Sequence, residues 1–217
     1  MIIAIDGPAA SGKGTLARRL AAHFGLRHLD TGLVYRAVAA RMLDIGVPLE
    51  DAAEAEAVAR DIDLGSLDRV ALSVHEIGEA ASLVAPMPAV RAVLRDRQRS
   101  FAMEGAGAVL DGRDIGTVVL PDATVKLYVT ADIAERARRR TDEIRGRGTD
   151  ADLMTVRADL ERRDRRDTGR TVAPLTRARD AYLLDTTGMD IEVAFRTAVD
   201  IVNQASAERS RAEGGNA

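Results

Sequence analysis

The chain has 217 residues, 46% of them hydrophobic and 30% charged, with 31 basic against 34 acidic side chains and a formal net charge of −3. That is long enough for one sizeable core and too evenly charged for a nucleic-acid-binding footprint. Cysteine is absent, which excludes disulfides and thiolate metal sites, and no apolar run is as long as a membrane span, so a cytoplasmic location without nucleic-acid or membrane partners is expected. A monomer is expected as well.

The first element is the apolar run Ile2-Ile3-Ala4-Ile5, which reads as a buried strand. It leads into Gly7-Pro8-Ala9-Ala10-Ser11-Gly12-Lys13-Gly14-Thr15, which has the P-loop spacing of two glycines followed by lysine. An amphipathic helix follows, with Leu16, Leu20 and Phe24 on one face and Gly25 as its stop. Strand, glycine-rich turn and helix N-terminus together make a phosphate cradle, and a nucleotide is expected in it. The alternative is a glycine-rich turn with no ligand. Only Lys13 and Lys126 among the basic residues are lysine; the rest are arginine. A compact ammonium suits such a loop, whereas a planar guanidinium is too wide. Gly14 stands where a P-loop usually has Ser or Thr, and the hydroxyl comes one residue later, at Thr15. Thr15 is therefore expected to meet Mg²⁺ through a water.

Further along, Val70–Val74 reads as a weak strand, followed by a helix that reaches the Pro86-Met87-Pro88 break. Ala108–Asp111, Val125–Val129 and Tyr182–Asp185 are short apolar strands with helical patterns between most of them. Such alternation predicts an α/β fold of three αβα layers around a parallel sheet. Asp132 and Glu135 read as a capping box for a helix through Arg145. Asp190 starts the last helix, with Ile191, Ala194, Phe195, Ala198 and Ile201/Val202 on its apolar face. Excursions are expected at about 61–86 and 146–176, and a flexible tail at 208–217. From Arg136 to Arg179 there are 14 arginines against 8 acidic residues. That stretch is either a solvated helix face with pairs such as Asp159/Arg163 or a lid that closes over phosphates.

Five segments in order resemble the bacterial cytidylate kinases, P-loop nucleoside monophosphate kinases: Asp6–Thr15, Asp30–Arg36, Ala80–Ser82, Asp111–Thr117 and Arg163–Leu175. The Gly14-Thr15 ending of the loop is also of the monophosphate kinase kind. The resemblance implies one kinase domain over 1–207, a small monophosphate-binding insert at about 61–86 and an arginine-rich lid at about 146–176. It implies the reaction of MgATP with CMP or dCMP to give ADP and CDP or dCDP.

By the same resemblance, Lys13 serves the donor phosphates, while Arg36, Arg113 and Thr31 hold the acceptor phosphate. Asp114 accepts from the cytosine amino group, and Ser82, Arg91 and Arg170 make the other base contacts. Arg163 and Asp167 hold the sugar hydroxyl. Arg165 and Arg166 are the candidates to stabilise the group in transfer, with Arg166 assigned as catalytic beside Lys13 and Arg113. Read from the residues alone, Arg36 is equally a surface helix residue, Arg113 a loop ion pair with Asp111 or Asp114, Asp114 a turn residue and Ser82 a small helix residue. Such sites suit phosphoryl transfer, which needs charge neutralised more than it needs covalent chemistry. Uracil presents an acceptor where cytosine presents its amino donor, so a carboxylate there would discriminate. His23, His28 and His75 read as surface or helix residues, and no general base is required. The rivals are a UMP/CMP, shikimate or dephospho-coenzyme A kinase on the same core, and a nucleotide-dependent switch. The chain has no Asn-Lys-x-Asp to support the switch.

Overall fold

A computed structural model describes residues 1–214. In chain order the elements are β1 (Ile2–Asp6), α1 (Lys13–Phe24), β2 (Arg27–Asp30), α2 (Thr31–Asp44), α3 (Ala52–Asp61), α4 (Arg69–Leu72), α5 (His75–Val84), α6 (Pro88–Met103), β3 (Ala108–Gly112), a π-helical turn (Ile115–Val119), β4 (Val125–Thr130), α7 (Ile133–Gly146), α8 (Leu153–Thr168), β5 (Tyr182–Asp185) and α9 (Ile191–Gly214). The strand order is β2-β3-β1-β4-β5, and the pairs of β1 with β3, β1 with β4 and β4 with β5 are parallel.

The chain divides into two compact units, Met1–His28 with Ala106–Ala217, and Leu29–Gly105. In the first, β1 occupies the middle of the sheet, and its Ile3 and Ile5 are fully buried. They share a core with Val109, Leu127 and Leu184 from the neighbouring strands, Leu16 and Leu20 from α1, and Ala198 and Val202 from α9. A strand covered on both faces must be apolar at successive positions, which is why β1 reads as an unbroken hydrophobic run. The second unit is helical. Leu33 and Ala37 of α2 pack with Leu72 of α4, and Ala55 and Ala59 of α3 are fully buried. The excursion expected at 61–86 falls inside this unit.

Several local expectations give way. Residues 69–72 form the short helix α4 instead of a strand, because the Asp68 carboxylate accepts from the N–H groups of Val70 and Ala71 and closes a turn. The helix after Asp132 begins where expected, yet the Asp132 side chain makes no cap. Glu135 is drawn instead to Arg138 and Arg139, at 2.8 and 2.7 Å. Asp159 pairs with Arg162, not Arg163. β2 carries Arg27, His28 and Asp30 and shows no apolar run in the sequence. His28 is not a surface residue: it is partly buried, with Nε2 2.8 Å from Asp111 Oδ1. The last helix continues through Gly214. Positions 208–214 of the expected flexible tail are therefore helical, and 215–217 lie outside the described residues.

Candidate phosphate and nucleotide site

The turn between β1 and α1 is shaped by two glycines. A Cβ on Gly7 would lie 2.0 Å from the Val129 carbonyl oxygen of β4, so only glycine lets the chain pass that strand. Gly12 has φ of 87°, the left-handed region that favours glycine, and Ala10 shares that region at 59°. Lys13 opens α1, is buried, and donates from Nζ to the Pro8 carbonyl at 3.1 Å. Its ammonium thus lies within the loop. Ser11 is fully buried, and its Oγ has no hydrogen-bond partner in the protein. An unsatisfied buried hydroxyl inside a loop of N–H groups fits a phosphate or its hydration shell. Thr15 is exposed and accepts from Arg18 at 3.2 Å, a cation next to the oxygen expected to face a metal.

Beside the loop is a cavity of about 320 Å³ lined by Ser11, Gly12, Thr15, Arg139, Thr186 and Met189 among others. Arg139 donates to Thr186 Oγ1 at 3.0 Å and to its carbonyl oxygen at 2.7 Å. The Thr186 hydroxyl lies 3.2 Å from the Ser11 carbonyl oxygen. These residues were not legible as a site. Arg139 is one arginine in a run of three, and Asp185-Thr186-Thr187-Gly188 is an Asp-x-x-Gly too near the C-terminus for a nucleotide-switch motif. Arg136 was hidden in the same way. It is buried, donating to the carbonyls of Ala9 and Ala131 at 3.2 and 2.9 Å and pairing with Asp164 at 2.7 Å.

The ion pair of Arg113 is with neither Asp111 nor Asp114. Its partner is Asp167, 2.6 Å away on α8, and Arg170 binds the other oxygen of the same carboxylate. Burial acts to raise the Asp167 carboxyl, but Arg113 and Arg170 outweigh it and hold the group below its ordinary range. Asp114 is buried at the start of the π-helical turn. Behind it, Asp6 Oδ1 and Oδ2 accept from the Ile115 and Gly116 N–H groups, each at 2.8 Å. Burial pushes the Asp6 carboxyl up to about 6; those two hydrogen bonds and Lys13 oppose the push, and Asp114 adds to it. Of the arginines near the end of α8, Arg165 is exposed, while Arg163 and Arg166 are half-buried.

The remaining expected residues lie on the second unit. Thr31 is buried at the first position of α2, where Asp30 caps the helix through the Leu33 N–H. Arg36 is held by the carbonyls of Leu72 and Val74 at 2.8 and 3.2 Å, so it is anchored and not a surface residue. Arg91 is buried on α6, donates to the Ala85 carbonyl at 3.2 Å, and has its guanidinium 5.7 Å from the Tyr35 ring centroid. The Ser82 hydroxyl donates to the Glu79 carbonyl at 2.7 Å.

A parallel sheet, a phosphate loop after its central strand and a lysine within that loop define a P-loop phosphotransferase fold. The cytidylate kinase family model matches residues 3–204. A cytidylate kinase of Rhizobium meliloti (strain 1021) is 57% identical over 208 residues, covering 96% of this chain and 98% of that protein. One from Brucella ovis is 58% identical over 207 residues, covering 95% and 94%. A crystal structure of an uncharacterized protein from Eubacterium ventriosum shares the fold, with a TM-score of 0.56 at 16% identity over 94% of this chain and 98% of that one. The chain belongs to the cytidylate kinase family.

Proposed function

We propose that the enzyme transfers the γ-phosphoryl group of ATP to CMP or dCMP, releasing ADP and CDP or dCDP. The observation that carries this reading is the phosphate loop itself, with a buried Lys13 ammonium and the unpartnered Ser11 hydroxyl, in a member of the cytidylate kinase family. An oxygen of the acceptor phosphate forms the new bond to the γ-phosphorus as the bond to the β,γ-bridging oxygen breaks. That acceptor oxygen is ionised near neutral pH, so no side chain need remove a proton. The protein's task is to neutralise and align the charge.

Lys13 follows the donor phosphates, and the cavity beside Gly12 and Thr15 takes the donor's base. Mg²⁺, when bound, neutralises charge on the donor oxygens. Among these residues Thr15 would hold it through a water, with Arg18 giving up the hydroxyl. Thr31, Arg36 and Arg113 serve the acceptor phosphate, Asp114 accepts from the cytosine amino group, and Ser82, Arg91 and Arg170 make the other base contacts. Arg163 and Asp167 hold the sugar, and Arg166 steadies the group in transfer. Asp167 is shared by Arg113 and Arg170, so substrate would take over part of an existing charge network. The reading includes a monomer acting in the cytoplasm. Among the described residues no single helix is long and apolar enough to cross a membrane.

Coupled ADP release measured against CMP, dCMP, UMP and AMP tests the proposal. CMP and dCMP should be used at least tenfold more efficiently than UMP, as expected when a buried acceptor faces the wrong base edge. Faster turnover of UMP or AMP would overturn the assignment of Asp114.

A further inference from the structure

Asp6 belongs to the strand that precedes the phosphate loop, yet its carboxylate serves a different segment. It is 4% exposed. Its two donors, the N–H groups of Ile115 and Gly116, are more than a hundred residues away in sequence and follow directly on Arg113 and Asp114. The backbone of Asp6 also pairs with Gly112 in the β1/β3 register. One residue therefore grips this corner by main chain and side chain together. The first N–H groups of a helical turn have no partner inside it. Here the Asp114 carbonyl accepts from Val118 and Val119, at 2.9 and 3.1 Å, and Asp6 takes the donors at the open end.

A carboxylate suits that position because it accepts twice and donates nothing. Gly116 leaves room for it: a Cβ there would lie 3.1 and 3.3 Å from Lys126 side-chain carbons and 3.4 Å from Asp6 Oδ2. Burial pushes the carboxyl up to about 6, and the two N–H donors and Lys13 oppose that push.

We propose that Asp6 is a positioning residue for the acceptor nucleotide: through the Ile115 and Gly116 N–H groups it holds Arg113 and Asp114 at a set distance from the phosphate loop. It acts through the backbone and not by contact with either phosphate. The inference rests on reading Arg113 and Asp114 as acceptor residues, so its test must separate the two.

Asp6→Asn keeps the volume but turns one accepting oxygen into a donor facing an N–H. Steady-state kinetics of the full chain should show KM for CMP raised roughly tenfold or more, KM for ATP changed by less than about threefold, and no fall in Tm at neutral pH. Asp114→Ala is measured beside it. If Asp114→Ala leaves KM for CMP unchanged, the acceptor reading fails and the inference with it. If Asp114→Ala raises that KM and Asp6→Asn does not, the inference alone fails. Equal damage to both substrates with a lowered Tm would make Asp6 merely structural and overturn the proposal. Should Asp6→Asn not fold, Gly116→Ala crowds the Lys126 stem and Asp6 Oδ2 at the same turn. It should raise KM for CMP severalfold while sparing ATP, and the lack of that split would also overturn the proposal.

Discussion

The phosphate loop and the arginine-rich stretch from Arg136 to Arg179 present positive potential in opposite ways. The loop does so with conformation: backbone N–H groups, a helix N-terminus and one lysine seated against the Pro8 carbonyl. The stretch does so with side chains, 14 arginines against 8 acids, but much of that charge is already committed within the chain. Arg138 pairs with Glu135 and Asp142, Arg140 with Glu143, Arg157 with Glu161 and Arg136 with Asp164. A preformed loop binds an anion without rearrangement. A paired arginine must exchange a carboxylate for a phosphate, so its contribution depends on closure. A local excess of arginine is thus a poor measure of available charge, and a short glycine-rich loop is a good one.

The sharpest test of the loop's side of this contrast is Lys13→Arg. Charge is conserved and only shape changes. The fork cannot reach the space that Nζ occupies within the loop, and kcat for CMP should fall by roughly a thousandfold, comparable to losing a preorganised cation at a transferring group. Tm should move by only a few degrees. A kcat within about threefold of the parent would mean that the loop supplies field and not fit, and the contrast with the lid would collapse.

Asp6 tests whether the base of the loop carries a real electrostatic load. Its folded-state value is about 6 against an ordinary 3.8, so between those values the folded state holds a proton that the unfolded chain has released. The contribution of Asp6 to stability therefore falls as pH rises from about 4 to about 6, and is level below that window. Two units at 1.36 kcal/mol each put the loss at roughly 3 kcal/mol. The facing groups oppose one another: Lys13 favours the charge, while Asp114 disfavours it. Denaturant titrations of the parent and Asp6→Asn across pH 4–7 should diverge in this sense, the variant gaining relative stability as pH rises. A difference that stays constant across the window would remove the buried charge from the account.

The same contrast explains what could be read in the sequence. β1, the loop and α1 are contiguous, and each announces itself locally: an apolar run, a fixed glycine spacing, a 3.6-residue apolar stripe ended by Gly25. Lys13 sits where the spacing puts it. The residues assigned to the acceptor came from family resemblance, because Thr31 and Arg36 on α2, Ser82 on α5 and Arg91 on α6 lie on three separate helices of the second unit, and no spacing rule joins them. Asp6 was visible as a letter of the loop motif and silent as to role, since its partners are at 115 and 116. Arg113 illustrates the limit best. Nearby acids at 111 and 114 made a local pair reasonable, while the real partner, Asp167, lies 54 residues on. β2 went unseen because a strand carrying Arg, His and Asp has no apolar signature. α4 was mistaken for a strand because a four-residue helix held by one Asp68 cap shows no period.

On the lid side, Arg165 and Arg166 are neighbours with different surroundings, one exposed and one half-buried. Arg166→Ala should lower kcat by roughly ten- to fiftyfold with KM for CMP within a factor of about three, as for an interaction made mainly in the transition state. Arg165→Ala should cost less than about fivefold. The reverse order would exchange the two roles while keeping the lid reading. No effect from either would remove both arginines from the transfer step and leave Lys13 and Arg113 to carry it.

The smallest expected effect concerns the pairing within the stretch. The Arg138 hydrogen bond, and then Arg139, hold the Glu135 carboxyl down to about 2 from an ordinary 4.5. A depressed carboxylate contributes stability that is present above the ordinary value and lost as pH falls toward 2. Read directly, that shift would exceed 3 kcal/mol, but these are i,i+3 and i,i+4 pairs on a solvated helix face, where each contributes a few tenths. Solvent screening places the effect of Glu135→Gln below about 1 kcal/mol, or roughly 2–4 °C in Tm at neutral pH. The gap between parent and variant should shrink on titration from pH 5 toward pH 3. Arg139 would keep its two bonds to Thr186 beside the nucleotide cavity, so KM for ATP should hold within about twofold. A Tm loss beyond about 8 °C would show that lid-side pairing is as firmly built as the loop, because exposed pairs alone do not reach that value.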